Sequence, residues 1–350
     1  MLIFFSYHAQ NYELKDKTLI KYYNLINEAE KKIINDSLIE ADKLYAEAFK
    51  VFKYPHAKDL FNSMKVALKT NNMPLAFNNY QTLKCLGKNF DEIFFNENFK
   101  KNSYSKLLPC KNVIDYNYKK KLDSLYNIDQ YYRNLSKGNY GIYKNELTRT
   151  DSITSNNLYK IIQEKGFPNE YNIGISSDNE TFFHNFYFII WHQLASNNIS
   201  SQRVNFSIEI NKALNSGKIR PDIAGFLLDL NNGTNDYSFF PIIMFVKNNG
   251  NTDCCYIAKS YFPENRNSIV NDKIQFINNK RKSLALPLVE DDVKKNIFYL
   301  DNKDYIFFSK TIEGYNFQSE NDEEIIKKGL IKIKWSQYCP KKKLLKIETA

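Results

Sequence analysis

Near the N-terminus one spacing occurs twice: Ala41, Tyr45 and Ala48, then Ala76, Tyr80 and Leu83, with 35 residues between the two sets. Offsets of four and three residues place each set on one helix face. The small residues let a neighbouring helix approach, and the aromatic fills the groove between the two. Leu19, Tyr22, Tyr23, Leu25, Ile26, Ile33 and Ile34 extend the same three- and four-residue rhythm. Gly and Pro are scarce, at 11 and 9, which argues against a turn-dense sandwich of strands. The fold predicted is mainly α. A helical-repeat domain spans 17–98, a polar linker 99–118, and a second helical domain 119–350 with a small β-hairpin or sheet near its end.

The most aromatic run is Phe182 to Gln193, FFHNFYFIIWHQ, which carries two of the four histidines. It is shorter than the ~20 apolar residues that cross a bilayer, so it reads as the central helix of the second domain. Around it, the segment from Asp151 reads as a helix starting near Ser155 or Asn156 and stopped by Gly166. Another helix ends at Gly217, and one begins with Pro221 and stops at Gly233. SFFPIIMFVKNNG and CCYIAKSYF have strand character and suggest a hairpin, and GLIKIKWSQY reads as a last strand.

Four polar residues are the candidates to converge on this apolar centre: His192, Asp129, Arg133 and Asp229, with His192 read first as a hydrogen-bonded core residue and second as a functional one. A histidine with a carboxylate can act as a general base, and an arginine can hold an anionic group. Asp129 and Arg133 also stand four residues apart, as a helix ion pair does. His184 and His192 would lie about 80° apart and two turns distant on one helix, so a shared metal is not expected. The chain contains no HExxH, GxSxG, P-loop or dinucleotide fingerprint, and no cofactor is expected.

The net charge of +10 is spread along the chain, with the densest run at Lys341 to Lys343. That distribution fits a solvated face better than a nucleic-acid site. The five cysteines show no CxxC spacing, so they are expected to be free, largely buried thiols, with one disulfide left open. Cys254 and Cys255 would point to opposite faces of a strand. Within residues 1–16, LIFF followed by Ala9 and Gln10 reads as the tail of a signal peptide. A periplasmic or secreted location is therefore expected, with a cytoplasmic one as the alternative.

The repeated pattern resembles the second helix of tetratricopeptide repeats. The second half resembles a bacterial family of helical domains called domain of unknown function 6624. The stretches that carry this likeness are LYNIDQYYR with Asp129, Gln130 and Arg133, LYKIIQEKGFPNEYNIG with Gly166, Pro168 and Gly174, and FYFIIWHQ with His192. NKALNSGKIRPDIAGFLLD with Gly217, Asp222, Ala224 and Asp229, and FINNKRKSLALP with Asn279 and Arg281, complete the set. Asp229 is followed by Leu230 where the family has an acid–arginine pair. The resemblance implies a fold and no particular reaction. Stacked helix pairs imply a surface that binds a protein or peptide partner, so an interaction module is the leading expectation. A hydrolase-like enzyme or antibacterial effector using His192 as base is the alternative, and a nucleic-acid binder the third.

Overall fold

A computed structural model describes residues 12–100, 109–110, 114–175, 182–193, 203–238, 242–246, 252–307, 313–315 and 319–333. Both copies of the N-terminal pattern lie on the second helix of a helix pair. The first pair is α1 (Lys17–Ile34) and α2 (Leu38–Val51), and the second is α3 (Ala57–Lys69) and α4 (Met73–Cys85). Asp16 caps α1 by accepting from the Leu19 amide at 2.9 Å. Asp36 and Asn71 take positive φ at the turns that reverse the chain within each pair. Ala41, Tyr45, Ala48, Ala76, Tyr80 and Leu83 are all buried, as their spacing requires. A short α5 (Glu92–Asn98) follows, capped by Asp91.

The remaining helices are α6 (Tyr116–Ser136), α7 (Lys144–Lys165), α8 (Glu170–Ile173), α9 (Phe186–Trp191), α10 (Ser207–Asn215), α11 (Pro221–Asn232), α12 (Ser268–Ser283), α13 (Val289–Asp301) and α14 (Glu320–Lys328). The expected hairpin is β1 (Ile243–Val246) paired antiparallel with β2 (Thr252–Ala258). Its Asn-Asn-Gly turn lies outside the described residues. β3 (Glu313–Tyr315) adds in parallel to β1, and β4 (Leu330–Lys332) antiparallel to β2, giving the order β3-β1-β2-β4. The chain is thus mainly helical with a small sheet near its C-terminal end. Among the described residues no helix is long and apolar enough to cross a membrane.

The helical repeats do not stand apart from the second half. One apolar core joins Tyr22, Tyr23, Tyr45 and Ala48 of the first pair to Leu122, Leu158, Ile190, Ile210 and Leu228 of the later helices. A second core holds α3 and α4 together with Phe99, Ile175, Phe182 and Ile306. Asn62 on α3 fixes this packing: its amide donates to the Ile306 carbonyl at 2.6 Å and accepts from the Ile306 N–H at 2.8 Å. Gly217 shows how close the halves come. It sits at φ +65°, and a Cβ there would stand 2.6 Å from the Phe52 ring at the end of α2.

Several local expectations change. Phe99, placed in the linker, is fully buried in the second core. α7 starts at Lys144, so Ser155 lies mid-helix, where its hydroxyl bonds back to the Asp151 carbonyl and replaces capping by a local contact. The central run is helical only over Phe186–Trp191, since Phe182 takes φ +55° and His184 precedes the helix. Cys85 and Cys110 form a disulfide, so they are not free thiols. Cys255 is buried in the core behind the sheet and Cys254 packs against the same core, so the two do not face opposite sides of β2.

Candidate functional site

Asp129, Arg133 and His192 meet, as the sequence suggested, and Asp151 joins them. α6 presents Asp129, Gln130 and Arg133, and α7 presents Asp151. The C-cap of α9 presents His192. The His192 Nδ1 stands 2.9 Å from the Asp129 carboxylate. Gln130 donates to the same carboxylate at 2.8 Å. Arg133 donates to the Asp129 backbone carbonyl at 2.7 Å and to both Asp151 oxygens at 2.7 and 2.9 Å. The expected Asp129–Arg133 ion pair is present at 3.4 Å, yet the closer partner of the guanidinium is Asp151.

Burial grades across this cluster. The Asp129 side chain is 0% exposed and that of His192 19%. The imidazole is thus the group at the water boundary, and the carboxylate behind it is sealed. Burial pushes the Asp151 carboxyl up, against the pull of Arg133. Burial also raises the Tyr126 phenol, and the charge of Asp129 adds to that rise. The half-buried flank beside His192 is aromatic: Phe188 and Trp191 stack at 9° between planes, Tyr126 packs on Phe188, and Phe226 meets Trp191 edge-on.

Asp129, Asp151 and His192 offer ligand atoms within 4.8 Å of one another, so this trio is the set among the described residues able to hold a metal ion. Arg133 already supplies the positive charge that the two carboxylates call for. The arrangement is therefore suited to proton transfer: a carboxylate orients an imidazole and a guanidinium fixes the carboxylates.

Asp229 requires a correction. Its carboxylate receives the Thr234 hydroxyl at 2.7 Å and the amides of Asp236, Tyr237 and Ser238 at 2.8, 3.0 and 2.7 Å. Gly233 ends α11 in the left-handed region, the loop folds back, and its N–H groups converge on this one buried acid. Asp229 is a loop-organising group and does not join His192.

Sequence reasoning missed a second polar region at the junction of the repeats with the later helices. Glu30 binds Lys58 through one oxygen and Lys295 through the other, each at 2.6 Å, and all three are buried. Beside them Tyr22 donates to Asp59 at 2.6 Å, and Arg220 binds Asp222 through two nitrogens at 3.0 Å each. The Tyr23 hydroxyl lies 2.9 Å from His56 Nε2, and His56 Nδ1 lies 3.6 Å from Glu170. The signal was present, since Glu30 sits between Ile26 and Ile33 on the buried stripe of α1. A charge on an apolar stripe requires a partner, but the partner on α13 is 265 residues away. His184 belongs to this region too. It is buried, its Nε2 has no hydrogen-bond partner, and burial lowers its pKa to about 4.

Comparison with known proteins adds no relative: no family model, no curated protein and no solved structure matches this chain.

Proposed function

We propose that the chain is a hydrolase-like enzyme whose general base is His192, oriented by Asp129. The carrying observation is the 2.9 Å pairing of a part-exposed imidazole with a fully buried carboxylate. A core histidine satisfied for structural reasons would be sealed among apolar neighbours. With Nδ1–H donated to Asp129, the basic nitrogen is Nε2. Gln130 and Arg133 hold Asp129 and Asp151 in place, and the aromatic flank offers a wall for an apolar or ring-shaped part of a substrate. The Cys85–Cys110 bridge supports export to an oxidising compartment.

The test is turnover of chromogenic acyl esters, phosphoesters and glycosides by the full chain and by His192→Ala and Asp129→Asn. The expected result is activity on one substrate class, lowered by about 10²- to 10⁴-fold in both variants at unchanged melting temperature. Activity that both variants retain would sink the assignment, as would inertness of the wild-type chain toward all three classes.

An interaction module is the second reading. Its support is the apolar stripe on α6, where Ile128, Tyr131 and Leu135 are exposed. The face of α3 that carries Asn62 holds this chain's own Ile306, so a partner would dock elsewhere. Substituting the three stripe residues with serine should abolish partner binding and leave any hydrolysis intact.

A further inference from the structure

The turn that joins α6 to α7, NLSKGNYGIYK, mixes lysine with large apolar residues, where a solvent-facing turn is ordinarily polar. Lys137 and Gly138 take positive φ and end α6, and one 3₁₀ turn, Tyr140–Tyr143, leads into α7. The Asn139 amide donates to the Ser136 carbonyl at 2.9 Å, and the Tyr143 ring packs on Tyr132 of α6 with centroids 5.5 Å apart. The turn is thus a built tip, held on the two helices it joins. Leu135, Tyr140 and Ile142 are nevertheless 47%, 55% and 63% exposed on it.

The charge at this tip is one-sided. Lys137, Lys144 and Arg149 are exposed there, against one exposed acid, Glu146. The ion pairs of α6 and α7 engage Lys119, Arg133 and Lys165 and leave these three cations out. Lys144 is also the first residue of α7, where the helix's own partial positive charge disfavours a cation, and Tyr143 supplies no side-chain cap. An external anion would satisfy the lysine and the helix end together. A second copy of this chain is a poor occupant, because a two-fold contact through the tip would set like charges face to face. A stable protein partner buries ~800 Å² on each side, more than three side chains on one turn offer. A bilayer asks for less: a few apolar side chains in the headgroup boundary, with lysine and arginine drawn to anionic lipid. Tyrosine suits that boundary, since its ring is apolar and its hydroxyl polar.

We propose that the α6–α7 tip docks on an anionic lipid surface. Leu135, Tyr140 and Ile142 enter the boundary between headgroups and acyl chains, and Lys137, Lys144 and Arg149 lie against the lipid phosphates. No residue of the His192 cluster takes part, so the docking stands independently of the hydrolase reading.

The test is co-sedimentation of the full chain with vesicles of equimolar phosphatidylcholine and phosphatidylglycerol, beside vesicles of phosphatidylcholine alone. The anionic vesicles should bind the chain, the neutral ones should not, and added salt should weaken the binding. Lys137→Gln, Lys144→Gln and Arg149→Gln together should weaken it about a hundredfold, at about fivefold for each charge. The chain is basic overall, so Lys17→Gln, Lys43→Gln and Lys50→Gln, exposed on the repeats, serve as the control and should change binding little. Tyr140→Ser with Ile142→Ser should weaken binding by about tenfold at unchanged charge, and the fluorescence of Tyr140→Trp should shift to the blue on anionic vesicles. All these side chains are exposed, so each variant should melt like wild type. The docking tip is refuted if anionic vesicles do not bind the chain, if either set of tip substitutions leaves binding at the wild-type level, or if the distant lysines matter as much. An absent blue shift would place the tip outside the lipid and overturn it too. Capture of a protein partner that the tip substitutions abolish, with vesicles ignored, would assign the tip to that partner instead.

Discussion

His184 and His192 stand eight residues apart in one aromatic run and serve two different polar regions. His184 faces the junction, where Glu30, Lys58, Asp59, Glu170, Arg220 and Lys295 are all buried. His192 faces a smaller cluster of Asp129, Arg133 and Asp151 and is itself part-exposed. Burying many charges is costly unless each finds a partner. The junction meets that requirement by pairing acids and bases from elements up to 265 residues apart, so its first consequence is to lock the repeats onto the later helices. The His192 cluster spans only α6, α7 and the end of α9. Its burial gradient leaves the imidazole more exposed than the carboxylate it pairs with. The number of charges therefore does not separate the two regions; the direction in which burial falls off does.

The largest test of this contrast is Glu30→Ala. It takes the nearest carboxylate from two buried ammonium groups, leaving Asp59 at 3.5 Å from Lys58 and Asp292 at 3.9 Å from Lys295, and a broken buried pair costs about 3 to 5 kcal/mol. Chemical denaturation should show that loss, and a change below about 1 kcal/mol would mean that water reaches the lysines and that the junction is no lock. Next comes the pH dependence carried by His184. Its folded pKa of about 4 lies below the ordinary 6.5, so the unfolded chain binds the proton first. The stability contributed by the neutral ring is full above about pH 6.5 and is lost as pH falls toward about 4. A difference of about 2.5 units corresponds to about 3 kcal/mol across that window. His184→Phe, which keeps a ring to stack on Phe186, should flatten the slope there. Below it, Glu30 and Asp222, which the paired lysines and Arg220 hold down, Asp222 to about 2, and Glu170, which the hydrogen bond to His56 holds down, should still give acid unfolding. Asp229→Ala follows in size, at about 2 kcal/mol, because several donors lose one acceptor. A loss of turnover in that variant at unchanged stability would return Asp229 to the reactive cluster.

Much of the α architecture was legible because it is local. Ala41, Tyr45 and Ala48 declare a buried helix face within eight residues, and Gly166, Gly217 and Gly233 mark where helices end. Asp129 and His192 were legible as candidates because polar groups near an apolar run need partners. Asp151 was not, since nothing in TDSITSNN distinguishes it from a solvated helix residue until Arg133 turns toward it. The junction stayed hidden for a different reason. Lys58, Asp59 and Lys295 look like ordinary surface charges, and only tertiary pairing with Glu30 and Tyr22 makes them interior. Length also misled: the run from Phe182 to Gln193 reads as one helix, yet the positive φ at Phe182 and the burial of His184 against Phe186 and Tyr187 shorten it to six residues.

The smallest expected effect is on the stability of His192→Ala, and it is the most discriminating. The ring is part-exposed, and its removal leaves Asp129 with Gln130 as a side-chain donor and Arg133 alongside. No charge is stranded as happens with Glu30, so the expected cost is within about 1 kcal/mol, close to that of a surface substitution. Thermal denaturation of His192→Ala beside Glu30→Ala, in one buffer near neutral pH, measures both. A nearly silent His192→Ala and a severe Glu30→Ala support the division into reactive site and lock. A His192→Ala variant that loses about 3 kcal/mol or more would make the imidazole a structural member of its cluster. The cause of order around α6 and α7 would then be the same charge pairing that holds the junction.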